Sequence, residues 1–309
     1  MSRVECLLIA NPTAGRVRRS LASVAEELGL LLGARVSITG GRGDAWRAAE
    51  RATQDGMDLV VVFGGDGTVN EVVNGLLGAR GPKGIPLLAV LAGGATNVFA
   101  RALGLTVSAD GVAQRISDSW HQDCIRRVGL GRAGGRWFTM AAGQGLDAQT
   151  IASIEARRRD RGAPRTIDYL TGARRQVAAN AGPGNELLTL CMPGDMMVPR
   201  LSSVIVQNGS PWTYLYGRGV SPCAEVSFDE GLAVVGISQL GRARALFHAG
   251  QVVSRRRLDG KAIVSFRNQQ SFVVRSSQPV AAQVDGDYVG LRAYWPLAHV
   301  PDALSVLIH

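Results

Sequence analysis

Only two of the 34 basic residues are lysines, Lys83 and Lys261; aromatic residues make up 6% of the chain, and there are four cysteines in all. The few aromatics are not interleaved with the arginines, which leaves no base-stacking platform and argues against nucleic acid as a partner. Cys6, Cys124, Cys191 and Cys223 are scattered, with no C-x-x-C pair and no metal-like His/Cys spacing. They read as structural thiols in a reducing compartment. No apolar run approaches the ~18 residues of a membrane span. The opening "MSRVECLLIANPTAG" is too short in its apolar part for a secretory signal. The expectation is a cytoplasmic protein with, at most, peripheral contact with a membrane.

What is present is glycine, 39 residues in 309, and a positive balance of 34 Lys+Arg against 25 Asp+Glu. The net charge of +9 favours anionic partners. The first ~130 residues alternate β-like runs with helical stretches, the pattern of a parallel α/β sheet. Strands are expected over Val4–Ala10, Ala34–Thr39, Asp58–Phe63 and Pro86–Leu91, with helices over Arg18–Leu32, Asp44–Asp55 and Thr68–Leu77. "TNVFARALGL" starts a further helix. The loops "NPTAG", "TGGRG", "GGDGT" and "AGGATN" then fall at the carboxyl ends of the strands, where open parallel sheets bind ligands.

Beyond this, β-like runs follow one another without regular crossover helices: "RWFTMAAG", "LLTLCM", "SSVIVQNG", "LAVVGIS", "KAIVSF", "SFVVRS", "VAAQV" and "DALSVLIH". Two helical stretches, Asp147–Asp160 and Thr166–Asn180, interrupt them. The pattern predicts a mostly antiparallel, sandwich-like second domain. We place the domains at 1–130 and 131–309, with a ligand site in the cleft between them.

In "LVVVFGGDGTVNEVVNGL", Thr68 and Glu71 have the spacing of a capping box. Val69, Val72, Val73, Leu76 and Leu77 form one apolar helical face. Gly64, Gly65 and Gly67 strip side chains from the turn, so its amides lie bare at a helix N-terminus, a site for phosphate. Asp66 would repel that phosphate unless a cation lay between them, which points to a nucleotide carried with Mg²⁺. No G-x-x-x-x-G-K-[ST] occurs, so this is not a Walker loop. "GQGLDA" (143–148) matches G-x-G-x-x-A but has no acidic partner at the dinucleotide-binding spacing, and reads as a packing turn.

"GGDGTVNEVVNGL", with "NPTAG" before it and "AGGATNVFARALGL" after it, resembles the diacylglycerol kinase catalytic family, which includes bacterial lipid kinases and sphingosine kinases. "GRWFTMAAGQGLDA", "VQNGSPW", "DEGL" and "VDGDYVG" resemble that family's later segments, in the same order. The resemblance implies a Rossmann-like nucleotide domain and a β-sandwich domain, with ATP–Mg²⁺ between them. It implies that Asn11, Thr13 and Thr39 line the nucleotide site, and that Gly65, Asp66, Gly67, Thr68, Val69, Asn70 and Glu71 form the phosphate loop beside Gly64. Gly94, Ala95, Thr96 and Asn97 stand where the family usually reads G-T-x-N, with Val98 in place of an acidic residue. Ser227, Glu230 and Leu232 occupy the positions of a Mg²⁺ site, Glu230 replacing an aspartate. Asp287 falls at the position of the general base, after an Asp285–Gly286 hairpin turn.

The implied activity is transfer of the γ-phosphate of ATP to a lipid hydroxyl, with diacylglycerol first and a sphingoid base second. NAD kinase, which shares the glycine loop, and a nucleotide-binding regulator without catalysis are the rivals. An anionic membrane surface is an expected transient partner, with "ARRRDRGAPR" (156–165), "ARR" (173–175) and "SRRR" (254–257) as basic candidates for docking or for a solvated face. A homodimer is left open.

Overall fold

The computed structural model describes residues 4–15, 17–105, 109–145, 148, 187–215, 217–223, 225–238 and 262–309. Apart from Ala148, the two expected helices at 147–160 and 166–180 and the three basic segments lie outside these residues. The fold is mixed α/β and rich in sheet. It divides into two compact units, Met1–Gly129 with Asp302–His309, and Leu130–Pro301. The expected boundary left the last eight residues with the second domain, but they belong with the first unit.

In the first unit, strands β1 (Cys6–Ala10), β2 (Arg35–Ile38), β3 (Leu59–Gly64) and β4 (Leu87–Ala92) alternate with helices α1 (Val17–Leu32), α2 (Asp44–Gln54) and α3 (Asp66–Gly78). They pair in parallel in the order β2-β1-β3-β4. The end of β15 (Asp287–Leu307) adds to β4 in parallel through Val306 opposite Leu88. Short α4 (Val98–Ala102) follows the fourth strand, and α5 (Val112–His121) comes next. One face of the sheet, with Leu8, Val61, Phe63 and Leu91, packs on Val24 and Leu28 of α1 and Ile116 of α5. The alternate residues Ile9, Val60, Val62 and Val90 are buried as well. A sheet covered on both faces needs apolar residues at every position, hence the unbroken runs "LLIA" and "LVVVF". Helices α2 and α3 meet closely: a Cβ on Gly75 would lie 2.3 Å from the Trp46 carbonyl oxygen.

The second unit is built from antiparallel pairs, and contains β6 (Arg136–Phe138), β7 (Ala141–Gly145), β8 (Leu188–Cys191), β9 (Met197–Gln207), β12 (Leu232–Ser238), β13 (Ile263–Gln269) and β14 (Ser271–Val284). Strand β5 (Ile125–Ala133) leads into it, and β10 (Thr213–Leu215) and β11 (Arg218–Val220) form a separate hairpin. One row crosses four strands, Val284–Ala142–Val206–Val234, and faces a core that also holds Phe138, Leu190 and Trp295. Neighbouring residues on β9 and β12, including Ile205, Ala233 and Val235, point to a second apolar cluster with Cys223 and Val226. The period of two thus serves two buried faces.

Candidate functional site

The four strand-end loops of the first unit are bound to one another. In "NPTAG", the Asn11 side chain accepts hydrogen bonds from the Thr13 amide (3.0 Å) and hydroxyl (2.7 Å). Its amide nitrogen donates to the Thr68 hydroxyl at 3.1 Å, joining the first loop to the third. In "TGGRG", the Asp44 carboxylate accepts from the Gly40 and Gly41 amides at 2.8 and 2.7 Å. Those two amides, with Arg47 beside them, outweigh a small opposing effect of burial and hold the Asp44 carboxyl below its ordinary value. Glu71 of α3 accepts from the Gly43 amide at 2.9 Å, joining the second loop to the third. Asp66 accepts from the Thr96 hydroxyl at 2.7 Å and the Phe99 amide at 3.3 Å, joining the third loop to the fourth. Asn97, buried and in a left-handed conformation (φ 49°), clamps Gly94 by accepting from its amide and donating to its carbonyl.

The three glycines of the central loop have different reasons to be there. A Cβ on Gly64 would lie 2.7 Å from the Thr68 side chain. Gly65 and Gly94 pass backbone to backbone, and a Cβ on Gly94 would lie 2.6 Å from the Gly65 Cα. Packing within the chain accounts for Gly64 and Gly94, and leaves a Cβ on Gly65 only a tight 3.3 Å from the Gly94 Cα. Gly67 is not constrained in this way: a Cβ there would meet nothing within 4 Å. Gly67 is exposed in the first turn of α3, whose N-cap is Gly65 and whose start carries no side-chain cap. The expected capping box does not form. Helix α3 begins two residues before Thr68, so Thr68 is inside the first turn and turns to Asn11, while Glu71 reaches Gly43. The amides of that first turn have no partner within the helix, and they sit where the helix dipole favours an anion.

Thr13 and Ala95 are exposed on their loops, and Thr39 is buried at the end of β2, its amide donating to the Ala10 carbonyl. Val69 and Asn70 are buried in α3, with Asn70 accepting from the Asn74 side chain.

In the second unit the quoted segments collect at one end of the antiparallel sheet. Asp285 and Gly286 form a two-residue hairpin turn, both with positive φ (46° and 83°), between paired Val284 and Asp287. The Asp285 carboxylate accepts four hydrogen bonds, from the Thr139 amide and hydroxyl and from the Met140 and Ala141 amides, at 2.7–2.9 Å. Next to them, Asn208 donates to the Thr139 carbonyl and Gln207 accepts from the Cys223 amide. Asp287 accepts from Arg136 at 2.9 Å. The Ser227–Glu230 turn precedes β12 at this same end, three strands from β14, or roughly 14 Å at the usual strand spacing. In "GQGLDA", Gly145 has φ +97° and a Cβ there would lie 2.2 Å from the Ser202 carbonyl oxygen, a close backbone approach that accounts for this glycine by packing.

Residues 5–128, nearly the whole first unit, match the model of the diacylglycerol kinase catalytic domain. The diacylglycerol kinase of Bacillus subtilis is 36% identical over 143 residues, 45% of each chain. That of Staphylococcus haemolyticus is 27% identical over 302 residues, covering 92% of this chain and 82% of its own. The first unit is thus similar to the diacylglycerol kinase catalytic domain, and the chain spans about half the length of the Bacillus subtilis relative that it matches. The crystal structure of a diacylglycerol kinase from Bacillus anthracis shares the fold, with a TM-score of 0.69 over 100% of this chain and 98% of that one at 20% identity.

The residues that the resemblance gives to Mg²⁺ have partners within the chain. The Glu230 carboxylate lies 3.7 Å from the Arg267 guanidinium, and the Ser227 carbonyl accepts from the Glu230 amide. The described residues hold no cluster of three or more acidic, His or Cys side chains suited to a metal. Two residues that shape these sites escaped the sequence reading. Asp44 had a signal, an acid directly before the apolar helix and just after paired glycines. Arg136 had none, because it meets Asp287 across 151 positions.

Proposed function

We propose that the chain is a lipid kinase that moves the γ-phosphate of ATP to the hydroxyl of diacylglycerol, giving phosphatidate and ADP. The observation that carries this reading is the uncapped, glycine-flanked start of α3, tied through Asn11, Glu71 and Asp66 to all three neighbouring loops. The amides at Gly65 to Thr68 would take the phosphates, with Asn11, Thr13 and Thr39 on the nucleotide side. Mg²⁺ enters with the nucleotide as part of the substrate. Phosphoryl transfer asks for positioning and charge neutralisation more than covalent chemistry. The lipid oxygen attacks the γ-phosphorus, the bond to the β-bridging oxygen breaks, and Asp287 takes the hydroxyl proton. In this reading the first unit is a Rossmann-like nucleotide domain, the second a sandwich-like lipid domain, and the +9 chain works at an anionic membrane surface.

The test is transfer from γ-labelled ATP to lipids in mixed micelles, comparing diacylglycerol, a sphingoid base and NAD⁺ as acceptors. Diacylglycerol should be labelled by the wild type, weakly by Asp66→Ala and hardly at all by Asp287→Ala. Labelling of the sphingoid base or of NAD⁺ instead would move the assignment to that acceptor. ATP binding with no acceptor labelled would make the chain a regulator.

A further inference from the structure

We propose that Arg136 is a positioning residue for phosphoryl transfer, acting through Asp287; the inference rests on the reading of Asp287 as proton acceptor. A two-residue hairpin turn fixes the backbone at Asp287 but leaves the side chain its rotamers. Arg136 Nη2 donates to Asp287 Oδ2 at 2.9 Å, and the two side chains are only 25% and 24% exposed. In the Arg35–Glu5, Arg47–Asp44, Lys83–Asp58 and Arg267–Glu230 pairs, at least one side chain is half exposed or more. Those pairs are solvent-screened and weakly orienting. The pair at the proposed acceptor carboxylate is shielded from solvent.

Its setting is rigid on both sides. Arg136 begins β6, and three residues later the Thr139–Ala141 backbone holds Asp285 through amide hydrogen bonds. The segment 136–141 therefore grips the hairpin tip at two carboxylates, one to hold the turn and one to aim Asp287. A planar guanidinium fixes the orientation of a carboxylate in a way that a lysine ammonium, a point charge on a flexible stem, does not. Where a reaction depends on alignment, a carboxylate displaced by about 1 Å costs about a hundredfold in rate. Losing Arg136 should therefore show in turnover and not in nucleotide binding.

The experiment is a double-variant cycle on the full chain, with diacylglycerol in mixed micelles, using Arg136→Met, Arg136→Lys, Asp287→Asn and the combination of Arg136→Met with Asp287→Asn. Arg136→Met should lower kcat about 10- to 100-fold with KM for ATP unchanged, and Arg136→Lys should recover part of that loss. In the Asp287→Asn background, Arg136→Met should cost nothing further, because two residues acting as one unit are not additive. Multiplying losses, a changed KM for ATP with kcat preserved, or full activity in Arg136→Met would each overturn the proposal. Should Arg136→Met fail to fold, Arg136→Lys carries the same cycle, its kcat loss vanishing in the Asp287→Asn background. A wild type that phosphorylates diacylglycerol while Asp287→Asn does so equally well would sink the reading of Asp287 and this proposal with it. A wild type inactive on every acceptor would sink the kinase assignment first.

Discussion

In the first unit the candidate loops are tied together by backbone amides and polar side chains; in the second, the Asp287 and Glu230 carboxylates each have an arginine beside them. Asp66 rests on a threonine hydroxyl and an amide, while Asp287 meets Arg136 and Glu230 meets Arg267. The difference follows from sheet type. A parallel sheet brings every strand's carboxyl end, and every helix N-terminus, to one edge, so unpaired amides accumulate there without any charge to balance them. An antiparallel sheet brings turns to its ends, and turns consume their own amides, as the Asp285 hairpin does with those of Thr139, Met140 and Ala141. The first unit thus gathers strand ends and helix N-termini at one edge, and the second holds Asp285 and Asp287 in fixed directions.

That contrast can be broken most forcefully at Asp285. Replacing it with alanine removes an acceptor from four donors at a partly buried site and leaves a left-handed residue without the side chain that tolerates it. The expected loss is roughly 3 kcal/mol of stability, read by chemical denaturation. ATP affinity should stay near the wild-type value, since the residue belongs to the second unit; a large fall would mean that the turn also serves nucleotide binding. Gly67→Ala is the mirror experiment. A Cβ there meets no protein atom, so the helix should hold its stability or gain about 0.5–1 kcal/mol. ATP affinity should fall about tenfold or more, equivalent to about 1.4 kcal/mol, by isothermal titration. Unchanged affinity would show that the open side of Gly67 does not face the phosphates.

The sequence was most legible where both faces of an element are buried. The four parallel strands lie within two residues of their expected bounds at either end; β1, β3 and β4 do so because a doubly covered strand must be apolar throughout, whereas β2 is an exposed edge strand. Legibility failed where a distant contact overrides a local signal. "SFVVRS" and "VAAQV" are one strand, β14, whose register shift between Arg275 and Val280 absorbs the turn-like "SSQP". "RWFTMAAG" is two strands because the Thr139 and Met140 amides go to Asp285. Helix α5 was missed, its apolar residues being few, and so was the return of Val306 to pair with Leu88. Among the candidate residues, the loops at Asn11, Thr39, Gly64 and Gly94 were readable as strand ends. That Asn97 would clamp Gly94 was not, since a left-handed asparagine leaves no mark in the pattern.

Cysteines allow the two units to be compared in one sample. Cys6 in the first unit and Cys223 in the second are both buried, and burial pushes both thiols up to about 12, with Arg267 pulling weakly the other way at Cys223. Neither should react with iodoacetamide until its unit opens, whereas the partly exposed Cys124 and Cys191 should be labelled first. ATP–Mg²⁺ at ten times its dissociation constant should slow Cys6 labelling about tenfold, about 1.4 kcal/mol, by binding only the closed unit. Cys223 should be unaffected. Equal slowing of both would show that the units open together, and the contrast between them would then concern chemistry alone.

The smallest expected effect is at Asp44, and its value lies in the sign. The Gly40 and Gly41 amides hold this carboxyl below its ordinary 3.8, so its hold on the loop is complete above that value and is lost as pH falls through the lower folded value. The side chain is partly exposed, and solvent screening keeps its contribution small. Hydrogen exchange reads it directly, because the Gly40 and Gly41 amides are the donors. After correction for intrinsic rates, their protection should be flat from neutral pH down to about pH 5 and fall below pH 4. In Asp44→Asn it should be lower throughout and independent of pH. Protection that persists in the wild type below pH 3 would mean that the "TGGRG" loop is held by Glu71 at Gly43 and the backbone rather than by the charge, and that even a partly exposed carboxylate in the first unit acts as a neutral strut.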